Sequence, residues 1–373
     1  MTTNRVLILG GRGRIGSSVA LDLLRHTNAS VTVTGKTDTG ELSHLPLDSH
    51  VTADRIQTMT LDLSEDDRLT QAIAQSDLVI HCAGPFHHRD QSVLDRCIQQ
   101  GVNYLDVSDN ASFTRKVLSR SAAAEQSGIT AIVNTGIFPG ISNSMVRQGV
   151  EHFDQPAEIH LSYVVSGSGG AGLTVMRTTF LGLMQPFSAW VEGQWRLTKP
   201  YSDRQAIDLP PPYGTAHVYW YEMPETFTLA ETFPVQTVIT KFGSIPDFYN
   251  HLTWIAAHIF PKAWIQNPVG TEFLSRVSYL MTNVTDRVSG IGVGIRAEIV
   301  GQKYGETRRY CSTLVHENTA IAAGYGTGSI AQLILAGQLH KPGVWAVEQA
   351  LPTELFEQVM SDRGLTIRQE WEN

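Results

Sequence analysis

The chain has 373 residues, 42% hydrophobic and 17% charged, with 28 Lys and Arg against 36 Asp and Glu for a net charge of −8. That length spans two or three domains, and so apolar a composition supports a large core, which excludes a disordered chain. No basic run is present and no apolar stretch approaches the roughly 20 residues of a membrane-spanning helix, so neither nucleic-acid binding nor a transmembrane segment is expected.

In chain order, residues 6–9 read as an apolar strand with no leader-like segment before it. Residues 15–25 read as a helix, with Ile15, Val19, Leu23 and Leu24 near helical spacing. Further strands are predicted at 31–34, 56–61, 78–83, 104–107 and 131–134, with helices at 67–75, 91–100 and 113–126. This alternation implies βαβ units and a Rossmann-type doubly wound parallel sheet over residues 1–145. The composition then shifts: all seven Trp lie beyond residue 189, and 11 of the 16 Pro fall between Pro156 and Pro268. Strand-like runs at 159–165, 236–241 and 292–300 predict an inserted α+β domain, residues 146–316, for substrate binding and dimerisation. A helical pattern over 319–339 ends at Lys341-Pro342-Gly343, so 317–373 is expected to be a helical segment returning to the first domain. The scattered Cys82, Cys97 and Cys311 lack any CxxC spacing and read as reduced thiols of a cytoplasmic protein.

The most informative motif is Gly10-Gly11-Arg12-Gly13-Arg14-Ile15-Gly16, which follows the first strand and opens the first helix. Glycines serve a tight turn, close approach of backbone to a pyrophosphate, and packing of helix on strand, while the N–H groups at the helix start hold the anion. The run satisfies G-x-G-x-x-G from Gly11 and G-x-x-G-x-x-G from Gly10. The second strand ends Thr34-Gly35-Lys36, where an NAD site carries a carboxylate for the ribose 2′-OH. Lys36, with Arg12, suits the 2′-phosphate of NADP better than NAD; the alternative leaves Lys36 solvated and gives the ribose to Asp38. Asp62 is placed for an adenine-edge contact or, equally, for capping the following helix.

Ligands of such sheets lie beyond the carboxyl ends of the strands. Ala83, Gly84 and Pro85 are therefore assigned to the cofactor site, and Asp109 to the reacting end. The glycine turn, Ala83-Gly84-Pro85, the run Gln99-Gln100-Gly101-Val102-Asn103-Tyr104-Leu105-Asp106, and Gly136-x-x-Pro139-Gly140-x-x-Asn143 resemble the saccharopine dehydrogenase-like NAD(P) oxidoreductases. Gly343-Val344-Trp345-x-x-Glu348 resembles that family's C-terminal element, with Val347 where the family has Pro. The resemblance covers 1–150 and 317–350 and is poor over 151–316, so it implies fold and cofactor more than substrate. The whole chain is also similar to uncharacterised saccharopine dehydrogenase-like proteins of cyanobacteria and chloroplasts.

Other chemistries fare worse. No Tyr is followed four residues later by Lys, as short-chain dehydrogenase chemistry needs, and neither H-E-x-x-H nor G-x-S-x-G occurs. No metal site is expected. In the middle region, Arg177 follows the glycine-rich run 166–172 and is a candidate carboxylate clamp or a structural ion-pair partner. Lys241 and His316 are candidate proton donors, against a solvated strand-end lysine and a hydrogen-bonded core histidine. Residues 248–265 combine Trp254, Ile255, Ile259, Trp264 and Ile265 with few charges, which reads as core, dimer contact or a peripheral membrane contact.

The sequence therefore predicts an NADP-dependent oxidoreductase moving hydride to or from a C=N, C=O or activated C=C bond of a small-molecule substrate in an interdomain cleft, in a homodimer. His316, Lys241, Asp109 or Arg177 would carry catalysis. The alternatives are a non-catalytic NADP-binding sensor or assembly protein, and a membrane-peripheral lipid or isoprenoid reductase.

Overall fold

Short, largely apolar runs bury both faces of a strand, and residues 6–9, 78–81 and 130–133 of the first sheet are such runs. The computed structural model describes residues 3–37, 53–169, 173–183 and 185–372. It divides into two units: Met1–Ile141 with Ala320–Arg363, and Ser142–Thr319 with Gly364–Asn373.

The first unit opens with β1 (Arg5–Leu9), α1 (Arg14–His26), β2 (Ser30–Gly35), β3 (Ile56–Thr60), α2 (Asp66–Ala74) and β4 (Leu78–His81). It continues with α3 (Ser92–Gln100), β5 (Asn103–Asp106), α4 (Ala111–Leu118), α5 (Ser121–Ser127) and β6 (Thr130–Val133). The chain leaves through α6 (Ile141–Val150), whose first residue closes this unit. The second unit runs β7 (Gln155–Ser166), α7 (Leu173–Gly182), β8 (Phe187–Val191), β9 (Gln194–Thr198), β10 (Gln205–Leu209), β11 (Gly214–Trp220) and α8 (Glu225–Thr232). There follow β12 (Thr237–Ile245), α9 (Phe248–His258), α10 (Lys262–Gln266), α11 (Pro268–Ser289), β13 (Val293–Lys303) and β14 (Glu306–His316). The first unit resumes with α12 (Thr319–Leu335), β15 (Gly343–Ala346), α13 (Val347–Ala350) and α14 (Thr353–Asp362); β16 (Ile367–Glu372) ends the described chain.

The first sheet has seven strands in the order β15-β6-β5-β4-β1-β2-β3, all pairs parallel. Every residue of β4 and β6 is buried, as expected of parallel strands covered on both faces. The chain winds outward from β1 in both directions, so the switch point of the sheet lies between β1 and β4. A core of Leu7, Leu9, Val79, Leu94, Tyr104 and Val117 fills one face. The returning α12 approaches α1 at backbone distance: a Cβ on Gly324 would lie 2.8 Å from the Ser18 backbone. Arg363, after α14, makes a two-pronged ion pair with Asp22 of α1 (2.9 and 2.5 Å) and both side chains are sealed from solvent.

Two details differ from the sequence expectation. Residues 113–126 form two helices, α4 and α5, because the chain breaks at Ser119-Arg120, where Arg120 turns to bind Asp95 at 2.6 Å. The final segment is not wholly helical: β15 joins the parallel sheet beside β6, and β16 pairs antiparallel with β14 in the second sheet.

That second sheet runs β10-β11-β12-β7-β13-β14-β16, with the β8–β9 hairpin attached at β12. Its β13 alternates in burial from Ile295 to Gly301, whereas β14 buries Tyr310–Leu314 without a break.

Candidate dinucleotide site and candidate catalytic residues

The turn after β1 is held by backbone bonds from Gly11 N to Ile8 O (3.1 Å) and from Gly13 N to Gly10 O (2.9 Å). Gly10 has φ +74, and a Cβ there would sit 2.8 Å from Ala83 Cα at the end of β4. A Cβ on Gly16 would lie 2.5 Å from Gly10 O, so α1 starts against the turn itself. Gly13, by contrast, is exposed and would bring its Cβ near only Gly10 O, at 3.2 Å. Gly10 and Gly16 thus serve packing, while Gly13 leaves its backbone open. Gly13 caps α1 with no side-chain bond, and no acidic residue stands in the first turn of Arg14, Ile15 and Gly16. A helix start of this kind attracts an anion through its N–H groups and dipole, so the cradle fits a pyrophosphate.

The predicted cofactor residues converge here. Arg12 N donates to Thr34 O (3.2 Å), and its guanidinium donates to Thr37 O past the end of β2. Lys36, exposed, forms an ion pair with Asp62 at 3.1 Å. The Ser64 N–H and Lys36 hold the Asp62 carboxyl below its usual range. Asp62 therefore serves both the turn into α2 and Lys36. At the end of β4, Ala83 O accepts from Arg89 Nε (2.9 Å), bracing the Ala83-Gly84-Pro85 turn beside Gly10. Asp38, and Gly170, Ala171 and Gly172 of the glycine-rich run, lie outside the described residues.

A buried network that sequence reasoning did not assign fixes the ends of β5 and β6. Asp106 Oδ1 accepts from Ser108 N and Asn134 N, both at 3.0 Å, while Asp106 O accepts from Thr135 N at 2.8 Å. Asn134, in the left-handed region at φ +62, donates from Nδ2 to Ser108 O and Thr114 Oγ1. Burial pushes the Asp106 carboxyl up to about 6. The neighbouring His81 is pushed down to about 3 by burial and so stays neutral. The signal for Asn134 was present, a polar residue closing an apolar strand, but its partners lie far away in sequence.

The candidate catalytic residues have separate settings. Asp109 follows this network at the carboxyl end of β5, half-buried, and desolvation raises its carboxyl to about 6. Lys241 is not a solvated strand-end lysine: it is buried, its Nζ 2.8 Å from Asp203 Oδ2 and 3.0 Å from Asp203 O, over the Trp220 ring. Arg177 is held by Glu272 through Nε (2.7 Å) and Nη2 (3.0 Å), the ion-pair alternative rather than a waiting clamp. His316 Nδ1 lies 2.8 Å from Asn318 O and 3.0 Å from Asn318 N, at the end of β14. Asp109 belongs to the first unit and the other three to the second. Among the described residues, no helix is long and apolar enough to cross a membrane.

Residues 6–132 match the saccharopine dehydrogenase NADP binding domain. The carboxyaminopropylagmatine dehydrogenase of Synechocystis is 25% identical over 350 residues, covering 85% of this chain and 86% of that protein. The carboxynorspermidine synthase of Vibrio cholerae is 22% identical over 341 residues, covering 83% and 80%. The fold matches apo saccharopine dehydrogenase (L-Glu forming) of Saccharomyces cerevisiae with a TM-score of 0.71 at 14% identity, covering 99% of this chain and 100% of that one. Residues 6–132 are therefore an NADP-binding domain of the saccharopine dehydrogenase type, which includes the glycine turn after β1, and the chain as a whole has the fold of saccharopine dehydrogenase.

Proposed function

We propose that the chain moves hydride between NADP and the C=N bond that joins an amine to a carboxylate-bearing carbonyl compound, making or breaking a secondary amine. The supporting observation is that two relatives alignable over four-fifths or more of both chains carry names denoting carboxylated polyamines. Transfer to C=O or to an activated C=C remains the coarser form of the reading. In the reductive direction, amine and carbonyl lose water to give the imine, and hydride with one proton then gives the secondary amine. NADP supplies or accepts the hydride when bound.

This chain's residues would divide the work as follows. The α1 N-terminus and Gly13 receive the pyrophosphate, with Arg12 and Lys36 offering cations to the 2′-phosphate. Ala83, Gly84 and Pro85 present backbone at the carboxyl end of β4. Asp109 holds the proton, because a carboxyl raised to about 6 exchanges protons near neutral pH. Lys241 and Arg177, already engaged by carboxylates, are assigned to holding the second unit together.

NADPH and NADH binding by nicotinamide fluorescence, with Lys36→Ala and Arg12→Ala, tests the cofactor assignment. Each substitution is expected to weaken NADPH about tenfold and NADH little, the scale of one charge-assisted contact. NADPH oxidation with paired amines and 2-oxo acids or aldehydes tests the reaction. Binding without turnover across that panel would favour the non-catalytic sensor.

A further inference from the structure

The helix α11 is built inside out. Its side toward the second unit carries Thr271, Ser275 and Thr282, at 6%, 0% and 4% exposure. Its solvent side carries Val269, Phe273, Val277, Leu280 and Val284, at 75%, 56%, 38%, 65% and 73%. An amphipathic helix at a protein surface does the reverse. The spacing is also specific: Phe273, Val277, Leu280 and Val284 recur at four, three and four residues, the a/d repeat that lines a seam between two helices. Trp264 of α10 extends the patch, its ring 6.0 Å from that of Phe273.

We propose that this face is a two-fold interface with a second copy of the chain, formed by antiparallel packing of α11 on α11. Three observations choose that occupant. A narrow a/d seam is self-complementary, and a two-fold axis between Val277 and Leu280 sets each against the other and Phe273 against Val284. The five side chains offer roughly 500 Å² of apolar surface per copy, the larger part of the ~800 Å² per partner that a stable interface needs. The charges on α11 balance, Glu272 and Asp286 against Arg276 and Arg287, so it lacks the excess of cations that draws an amphipathic helix to an anionic bilayer. The antiparallel sense follows because parallel packing would set Arg287 against Arg287.

The test is the mass of the full chain in solution by light scattering, beside the variant Val277→Asp with Leu280→Asp. Twice the chain mass for the wild type and a single chain mass for the variant, with unchanged NADPH affinity, are expected. Both sites are exposed, and an unchanged circular dichroism spectrum and melting temperature, beside retained NADPH binding, show that both units of the variant are folded. A monomeric wild type at tens of micromolar, or a variant that stays dimeric, overturns the proposal. So does a monomer that floats with phosphatidylcholine–phosphatidylserine vesicles, which would make the patch a membrane contact. Orientation is read by cross-linking Phe273→Cys chains with Val284→Cys chains. Linkage only in the mixture is expected, and linkage in each separately would overturn the antiparallel arrangement.

Discussion

The two units treat charge differently. In the first, the Arg363–Asp22 pair is sealed from solvent, and Asp106 lies buried among backbone N–H groups. In the second, the Arg177–Glu272 pair stays about one-third exposed and Arg296 shares Glu298 and Glu372 at a partly open edge. The parallel sheet has both faces covered, so a polar group that enters must be fully satisfied, and it then fixes geometry. The mixed sheet leaves room for water, so its ion pairs screen and exchange.

Removing one partner from each kind of pair would break or uphold that contrast. Arg363→Ala leaves Asp22, buried between α1 and α12, with His26 at 3.3 Å as its remaining ionisable partner, and is expected to cost about 3 kcal/mol in urea unfolding. Arg177→Ala leaves Glu272, which Arg177 and Arg276 hold down to about 2, with Arg276 2.6 Å away and with water. A much smaller fall in melting temperature is expected there. Equal losses would show that burial does not separate the two units.

Asp106 gives the contrast a pH dependence. Its carboxyl is raised in the folded state, from 3.8 to about 6 by burial, so folding favours the protonated form. The associated stability is complete below pH ~4 and is lost as pH rises through ~6. Asp106→Asn retains an oxygen for the Ser108 and Asn134 N–H groups and cannot ionise. Relative to wild type it should gain stability between pH 4 and 6, levelling at up to about 3 kcal/mol above that range. Urea midpoints from pH 4 to 8 would reveal it; parallel curves for the two proteins would mean that Asp106 is ionised throughout.

The same contrast governs what could be read from sequence. The strands of the first sheet were legible because continuous apolar runs have few other uses, and Gly10 to Gly16 because the turn imposes local requirements. The network around Asp106 was not legible, since Asn134 lies 28 residues from it and only the register of β5 beside β6 brings them together. Nor was β15, four residues within a segment dominated by helical spacing. In the second unit, sequence shows the periodicity of a helix but not which side faces in. Residues 248–265 drew attention by composition, yet Phe248, Trp254, Ile259 and Trp264 are exposed while Ile265 is buried. The regular seam of α11 follows just after them, hidden among hydroxyl residues that proved to be its inward face.

The smallest effect concerns the exposed rim of the first unit, where its charge behaves like that of the second. In the proposed assignment Lys36 would offer its ammonium to a 2′-phosphate in competition with Asp62, with which it pairs at 3.1 Å. Asp62 also accepts from Ser64 N at 3.1 Å, and an asparagine oxygen can do the same, so Asp62→Asn removes the competing charge with the turn into α2 intact. A dianion brought near Lys36 also meets less repulsion once the carboxylate is gone. NADPH should bind about threefold more tightly to this variant, and NADH, lacking the phosphate, about as well as before. The gain should shrink as salt rises, because both groups are solvated. Unchanged NADPH affinity together with weakened NADH binding would instead place Asp62 at the adenine edge and leave the phosphate to Arg12.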